Sequence, residues 1–225
     1  MKIGRYKIEL IIFDMDGLMF DTEKLIYRSW KESCKKYKQK ISNGIFKKTI
    51  GLDWIRTIEV YKKYYGSSLP YEDIIDETMN IFEDFIRSEG VPLKEGLLEK
   101  LLEYNKKKQL KMAVATSTKR DRTELMLNLS DTGRYFDLVV CGDEITNGKP
   151  DPEIFLETAK KLNCRPETCM VLEDSKNGII AAYKAGMMPM MVPDIIKPEK
   201  EIEAMIFKKF DSLTEVKNYF EDNSK

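Results

Sequence analysis

The chain has 225 residues, 38 basic and 38 acidic side chains and no histidine. A net charge of zero lacks the basic excess of a nucleic-acid protein, so no nucleic-acid partner is expected. The missing histidine excludes Ser-His-Asp and Cys-His catalysis and most zinc hydrolase sites, which leaves acid–base work to carboxylates, lysine or tyrosine.

No apolar run approaches a membrane span and the N-terminus carries no charged-then-apolar leader, so a cytoplasmic chain without a membrane partner is expected. Cys34, Cys141, Cys164 and Cys169 form no CxxC pair and read as buried, reduced thiols. The first strand is predicted over about Ile8 to Asp14, where Ile11, Ile12 and Phe13 form the continuous apolar run of a parallel strand covered on both faces. Asp14 and Asp16 share one side of that extended chain, and Gly17 permits the turn that follows. Two adjacent carboxylates repel each other, and either a bound cation or a raised pKa would compensate.

From Asp21 to about Glu89 the apolar spacing is helical throughout. Asp21 and Thr22 can cap a helix running to about Lys38. A short helix over Asn43 to Ile50 should end at Gly51, and further helices are expected over Ile55 to Tyr65 and Tyr71 to Arg87. After Pro92 a helix carries Leu97, Leu98, Leu101 and Leu102, and a strand over Met112 to Ala115 ends in Thr116-Ser117-Thr118. Thr118 with Asp121 has the spacing of a helix N-cap. Strand Leu138 to Cys141 is followed by the loop Asn147-Gly148-Lys149-Pro150. Asp151 and Pro152 then suit a helix start. Strand Cys169 to Leu172 runs into Glu173-Asp174, with a helix from Ser175 to Ala185 stopping at Gly186. A strand over Pro189 to Val192, an edge strand at Ala204 to Phe207 and a helix over Thr214 to Phe220 complete the chain. Alternating strands and helices from Lys111 onward predict a parallel sheet with right-handed crossovers.

Ligands bind outside the carboxyl ends of such a sheet. The polar groups at those ends are Asp14 and Asp16, Thr116 and Ser117, Lys149, and Glu173 with Asp174. Together they suit a phosphoryl group held beside a hard divalent cation: carboxylates for the metal, a lysine for the transferring charge, a hydroxyl for the oxygens.

Four segments in order, Asp14-Met15-Asp16-Gly17, Val114-Ala115-Thr116-Ser117, Gly148-Lys149-Pro150-Asp151-Pro152 and Leu172-Glu173-Asp174-Ser175, resemble the motifs of the haloacid dehalogenase superfamily. The branch it resembles contains phosphatases and beta-phosphoglucomutases with a helical cap. The resemblance implies an α/β, Rossmann-like parallel-sheet core over residues 1–20 and 91–225 with an inserted all-helical cap over 21–90. It implies Asp14 as nucleophile, Asp16 as general acid–base, and Thr116 and Lys149 as further catalytic groups. Mg2+ would be held by Asp14, Glu173, Asp174 and a carbonyl near Asp16, and Ser117 and Lys119 would contact the substrate. Gly51-Leu52-Asp53-Trp54 falls where the family's cap loop enters the site, so Trp54 and Arg56 are candidate specificity residues. The cap would hinge near Phe20 to Thr22 and Gly90 to Leu93.

Beta-phosphoglucomutases carry a histidine at the place of Ile26 and a cap-loop arginine where this chain has Trp54. A tryptophan cannot grip a distal phosphate as an arginine does, although Lys119 matches a mutase phosphate contact. The expected function is hydrolysis of a small phosphorylated metabolite, a sugar phosphate or nucleotide-like monoester, by a monomer or weak dimer. A phosphosugar mutase is the alternative enzyme. A phosphoacceptor signalling domain is the alternative outside enzymology, because receiver domains also combine strand-end acids, a threonine and a Lys-Pro pair. Dehalogenation does not fit, since every acid of the expected metal site is present.

Overall fold

The structure, a computed structural model, describes residues 1–50, 52, 54–195 and 198–223, with the side chains of Trp54 and Glu99 left aside. Within that range the chain forms two compact units, one from Met1–Phe20 with Leu93–Lys225 and one from Asp21–Pro92. No helix among the described residues is long and apolar enough to cross a membrane, and all four cysteines are buried and unpaired.

In the first unit, an N-terminal antiparallel pair, β1 (Lys2–Ile3) and β2 (Tyr6–Lys7), precedes the main sheet. Its strands are too short to carry an alternating pattern, so it has no sequence signal. The main sheet contains β3 (Leu10–Phe13), β4 (Lys111–Ala115), β5 (Leu138–Val140), β6 (Cys169–Glu173), β7 (Met188–Met191) and β8 (Lys208–Lys209). Its six strands lie in the order β5-β4-β3-β6-β7-β8, and every neighbouring pair is parallel. Leu10, Ile11, Ile12 and Phe13 have no solvent exposure, as a central strand covered on both faces requires. Phe13 lies opposite Val114 on one side and Leu172 on the other. The register therefore brings the ends of β3, β4 and β6 level, and the chain reverses direction across the sheet at β3, the position where open parallel sheets bind ligands.

The edge strand differs from expectation. Met205 and Ile206 pack against Ile179, Met191 and Ile202 instead of joining the sheet, and the edge is formed by Lys208–Lys209 beside Met190 and Met191. Burying those apolar side chains is worth more than a ladder bond, and edge lysines discourage pairing with another chain.

In the second unit the helices are α1 (Thr22–Lys36), α2 (Asn43–Phe46), α3 (Trp54–Tyr65) and α4 (Tyr71–Glu89). Trp30 of α1 stacks on Tyr61 of α3 with ring centroids 4.7 Å apart, and Ser33 Oγ donates to the Ile74 carbonyl of α4 at 3.0 Å. These contacts join three amphipathic helices around one core. Asp21 holds the N-cap position of α1 without a side-chain cap bond; its Oδ2 accepts from Lys24 Nζ at 2.7 Å instead. The expected helix over Asn43 to Ile50 ends at Phe46, and its expected stop, Gly51, lies outside the described residues, as does Asp53.

Back in the first unit, Leu97–Leu102 forms a π-helix that runs into α5 (Glu103–Lys107), where the sequence suggested a plain α-helix. The remaining helices are α6 (Arg120–Leu129), α7 (Glu153–Lys161), α8 (Lys176–Lys184), α9 (Lys200–Glu203) and α10 (Leu213–Asn223).

Candidate active site

The end of β3 builds the centre of the site. Asp14 N–H donates to the Leu172 carbonyl at 3.0 Å, so the nucleophile candidate is held by the sheet ladder itself. Gly17 then turns with φ +79°, and a Cβ there would lie 2.3 Å from Asp174 Oδ2. The glycine supplies both the left-handed turn and the space into which the acid from the end of β6 fits.

Lys149 joins three strand ends. Its Nζ lies 2.5 Å from Asp14 Oδ1, 2.7 Å from Glu173 Oε1 and 3.1 Å from the Ala115 carbonyl. Its side chain is 5% exposed and that of Glu173 only 1%. Burial alone disfavours the ammonium, but the Asp14 and Glu173 carboxylates outweigh it and drive the lysine pKa up, so it stays charged. The Lys149–Pro150 peptide is cis. The loop before it is anchored by Glu153, whose Oε1 accepts from Thr146 N at 2.7 Å and Oε2 from Asn147 N at 2.9 Å. Asp151 Oδ1 accepts from Glu153 N at 3.0 Å, and Pro152 rather than Asp151 takes the N-cap position of α7.

Glu173 is fixed on its second oxygen as well. Oε2 accepts from Ser175 N and from Ser175 Oγ, both at 2.9 Å, and Ser175 Oγ accepts from Gly178 N to cap α8. A Cβ on Gly178 would lie 1.7 Å from Glu173 Oε1. Helix α8 can approach the buried acid only because that position is glycine.

Thr116, buried at the end of β4, is tied to the Val140 carbonyl through its N–H at 3.1 Å. Ser117 is exposed, and a Cβ on Gly142 would sit 2.2 Å from its carbonyl oxygen, so close approach of the loop after β5 shapes this turn. Lys119 is exposed at the N-cap position of α6. Asp16, half-buried, accepts from Thr118 Oγ1 at 2.7 Å.

Oxygen atoms of Asp14, Glu173 and Asp174 lie within 4.8 Å of one another. Burial pushes the Asp14 carboxyl up to about 8; the Glu173 and Asp16 carboxylates add to the rise and Lys149 opposes it. The Lys149 ammonium contacts two of the clustered carboxylates, Asp14 and Glu173, and a cluster of carboxylate oxygens is the donor set a hard divalent cation binds.

Comparison with known proteins identifies the family. The sequence pattern described as haloacid dehalogenase-like hydrolase matches residues 11–192. The chain belongs to that family. A phosphorylated carbohydrates phosphatase of Thermotoga maritima is 34% identical over 184 residues, covering 80% of this chain and 82% of that protein. A (DL)-glycerol-3-phosphatase of Arabidopsis thaliana is 32% identical over 205 residues, covering 85% and 82%. Among solved structures, a beta-phosphoglucomutase from Clostridium difficile superposes with a TM-score of 0.77 at 25% identity, over 96% of each chain. Among haloacid dehalogenase-like hydrolases this chain thus stands with the phosphatases.

The expected core-unit residues of that family come together: Asp14, Lys149 and Glu173 by direct contact, Asp174 in the acidic cluster, and Thr116 on the adjoining strand end. The Asp16 carboxylate is not a member of that cluster; the expectation for Asp16 as a metal ligand concerned a backbone carbonyl beside it. The donors are all oxygens, as a hard cation such as Mg2+ requires. Trp54 and Arg56 belong to the helical unit, at the start of α3, with Arg56 exposed. Sequence reasoning gives no role in the site to Thr118, Ser175, Gly178 or Glu153; it takes Thr118 as a helix cap and Ser175 as a helix start, and Gly178 and Glu153 carry no local signal.

Proposed function

We propose that the protein is a Mg2+-dependent phosphatase that hydrolyses a small phosphorylated metabolite through an aspartyl-phosphate on Asp14. The observation that carries this reading is the buried Asp14–Lys149–Glu173 contact at the switch point of a parallel sheet, with Asp174 in the same cluster. Asp14 Oδ1 is held by Lys149, which keeps the carboxylate oriented and offsets part of its charge.

In the first step an Asp14 oxygen bonds to phosphorus as the bond from phosphorus to the leaving oxygen breaks. Asp16 gives its proton to that oxygen. In the second step Asp16 takes a proton from water, the water oxygen bonds to phosphorus, and the phosphorus–Asp14 bond breaks to release inorganic phosphate. Lys149 stabilises charge on the phosphoryl oxygens and Thr116 donates to one of them. Mg2+ would be held by Asp14, Asp174 and the carbonyl beside Asp16, with Glu173 in the same cluster, and would supply positive charge to the phosphoryl oxygens. Uncatalysed phosphate-monoester hydrolysis is among the slowest reactions known, so this concentration of charge answers to the size of the barrier.

The helical unit, inserted between Phe20 and Leu93, is proposed as the cap that selects the substrate and excludes water. Relatives named for carbohydrate and glycerol phosphates favour a sugar or polyol phosphate. A mutase shares the fold, but Ile26 stands where mutases carry a histidine and Trp54 where they carry an arginine.

The test is phosphate release from a panel of sugar phosphates, polyol phosphates and nucleoside monophosphates, with Mg2+ and with EDTA. Release should fall to background with EDTA and in Asp14→Asn. Full activity in Asp14→Asn would remove the nucleophile assignment. Glucose 1,6-bisphosphate-supported isomerisation faster than phosphate release would replace the phosphatase with a mutase. A long-lived phosphoprotein without turnover would point to signalling.

A further inference from the structure

Thr118 has the sequence spacing of a helix cap, yet it caps nothing. Helix α6 starts from Lys119 with no side-chain cap bond. The Thr118 hydroxyl instead donates to Asp16 Oδ2 at 2.7 Å, linking residues 102 positions apart. Its backbone N–H donates to Thr116 Oγ1 at 3.1 Å. Its carbonyl accepts from Gly142 N at 3.1 Å, so the backbone on which both bonds depend is itself held. One residue thus touches both the candidate proton donor and the candidate phosphate-binding hydroxyl.

Each bond has a chemical consequence. An aspartate carboxyl turns about two side-chain bonds, and the Thr118 hydroxyl fixes where Oδ2 lies. A hydroxyl oxygen that accepts an N–H has that side occupied and directs its own proton elsewhere, so the Thr116 proton is aimed away from Thr118 and is available to donate. We infer that Thr118 is a positioning residue for phosphoryl transfer, orienting the Asp16 carboxyl through its hydroxyl and the Thr116 proton through its N–H. This rests on the proposed roles of Asp14 as nucleophile and Asp16 as proton donor. As the Asp14–phosphorus bond forms and the phosphorus–oxygen bond to the leaving group breaks, the Asp16 proton passes to the departing oxygen. Thr118 sets where that proton sits when the bond breaks.

A side chain that orients the acid matters in proportion to how much the leaving group needs a proton. The experiment compares kcat/KM, which reports events up to formation of the aspartyl-phosphate, for p-nitrophenyl phosphate and phenyl phosphate with Mg2+. The nitrophenolate departs without protonation, whereas the phenolate is helped by it. In Thr118→Val the hydroxyl is lost at nearly constant shape. Its kcat/KM for phenyl phosphate should fall on the order of ten-fold, part of the ~100-fold or more that a general acid contributes. For p-nitrophenyl phosphate it should fall less than about two-fold, since no acid is required there. Thr118→Ser restores the hydroxyl and should recover phenyl phosphate turnover. Equal losses on the two esters, or no loss on phenyl phosphate, overturn the positioning role. If Thr118→Val fails to show a cooperative thermal transition, Thr118→Ala is judged by the same two ratios. A wild type that releases phosphate from neither ester and from none of the metabolite panel overturns the phosphatase reading and this role together; a wild type active on both esters with equal losses in the variant overturns this role alone.

Discussion

The contact between Lys149 and Asp14 depends on residues packed behind it. Glu173 is wholly buried, and its two oxygens are divided between Lys149 on one side and Ser175 on the other. That division keeps Lys149 aimed at Asp14 and fixes one acid of the candidate metal cluster. Gly178 makes it possible, since any Cβ would overlap the carboxylate, at 1.7 Å from Oε1 and 2.4 Å from Oε2. Gly178→Ala should therefore displace Glu173 or push α8 outward, and either change breaks the Lys149 contact. Residues that orient metal ligands typically change affinity by ~10–100-fold. The expected result is a rise of that order in the Mg2+ concentration for half-maximal phosphate release, with a lower thermal midpoint. An unchanged Mg2+ requirement would show that Glu173 acts apart from the metal. Thr118 and Gly178 explain why a chemically complete motif list still omits working parts. The bond from Thr118 to Asp16 depends on bringing together segments 102 residues apart, and the demand on Gly178 is steric, so neither has a local sequence pattern.

At the scale of elements, the strand ends were legible and their supports were not. The apolar runs at Ile11 to Phe13, Met112 to Ala115 and Cys169 to Leu172 announce strands because buried parallel strands tolerate few polar residues, and all three fall within β3, β4 and β6. Caps were read less well: Asp21 and Thr118 have capping chemistry, but Lys24 and Asp16 compete for their side chains and win. The apolar run Ala204 to Phe207 predicts a strand, whereas Met205 and Ile206 pack against Ile179 and Met191 and Phe207 N donates to the Pro189 carbonyl at 2.7 Å ahead of the two-residue edge. The loop that carries Lys149 provides a test. Backbone N–H groups of Thr146 and Asn147, in that order, hold the Glu153 carboxyl below its ordinary value of 4.5, against a small opposing effect of burial. A carboxyl depressed in the folded state stabilises the fold above its unfolded pKa, and that stabilisation disappears as pH falls through the lower folded value. Glu153→Gln should lower the thermal midpoint at pH 7, and the gap to wild type should close as the pH drops from about 5 toward 3. It should also slow turnover at neutral pH by loosening the loop before Lys149. A gap that stays constant across that range would mean that the carboxylate charge contributes nothing to the loop.

At the scale of the whole molecule, the chain enters and leaves the helical unit at neighbouring points. Phe20 and Leu93 form an antiparallel bridge, and Lys94 N donates to the Met19 carbonyl at 2.9 Å. Lys94 Nζ also pairs with Asp194 at 2.5 Å, where the side chains are 22% and 11% exposed. On the other side, Asp21 N donates to the Pro92 carbonyl at 2.8 Å, closing the helical unit on itself. Each unit therefore has its own hydrogen-bonded closure, and each has its own apolar core. The helical insertion was visible in the sequence because the residues from Asp21 to Glu89 keep one periodicity while the chain on both sides alternates. Its role was not, because specificity depends on how side chains such as Arg56 meet a substrate. Replacing residues 21–92 by a short Gly-Ser linker should leave a folded core, because the linker need only join positions already side by side. Every core-unit residue of the candidate site would remain. The shortened protein should show a cooperative thermal transition and hydrolyse p-nitrophenyl phosphate in a Mg2+-dependent manner. Against its best metabolite substrate its kcat/KM should fall by ~100-fold or more, because the groups that orient the substrate and exclude water are gone. Discrimination among sugar, polyol and nucleoside phosphates should flatten at the same time. Retained discrimination would place specificity in the core, and Ser117 and Lys119 would then be the residues to examine for it.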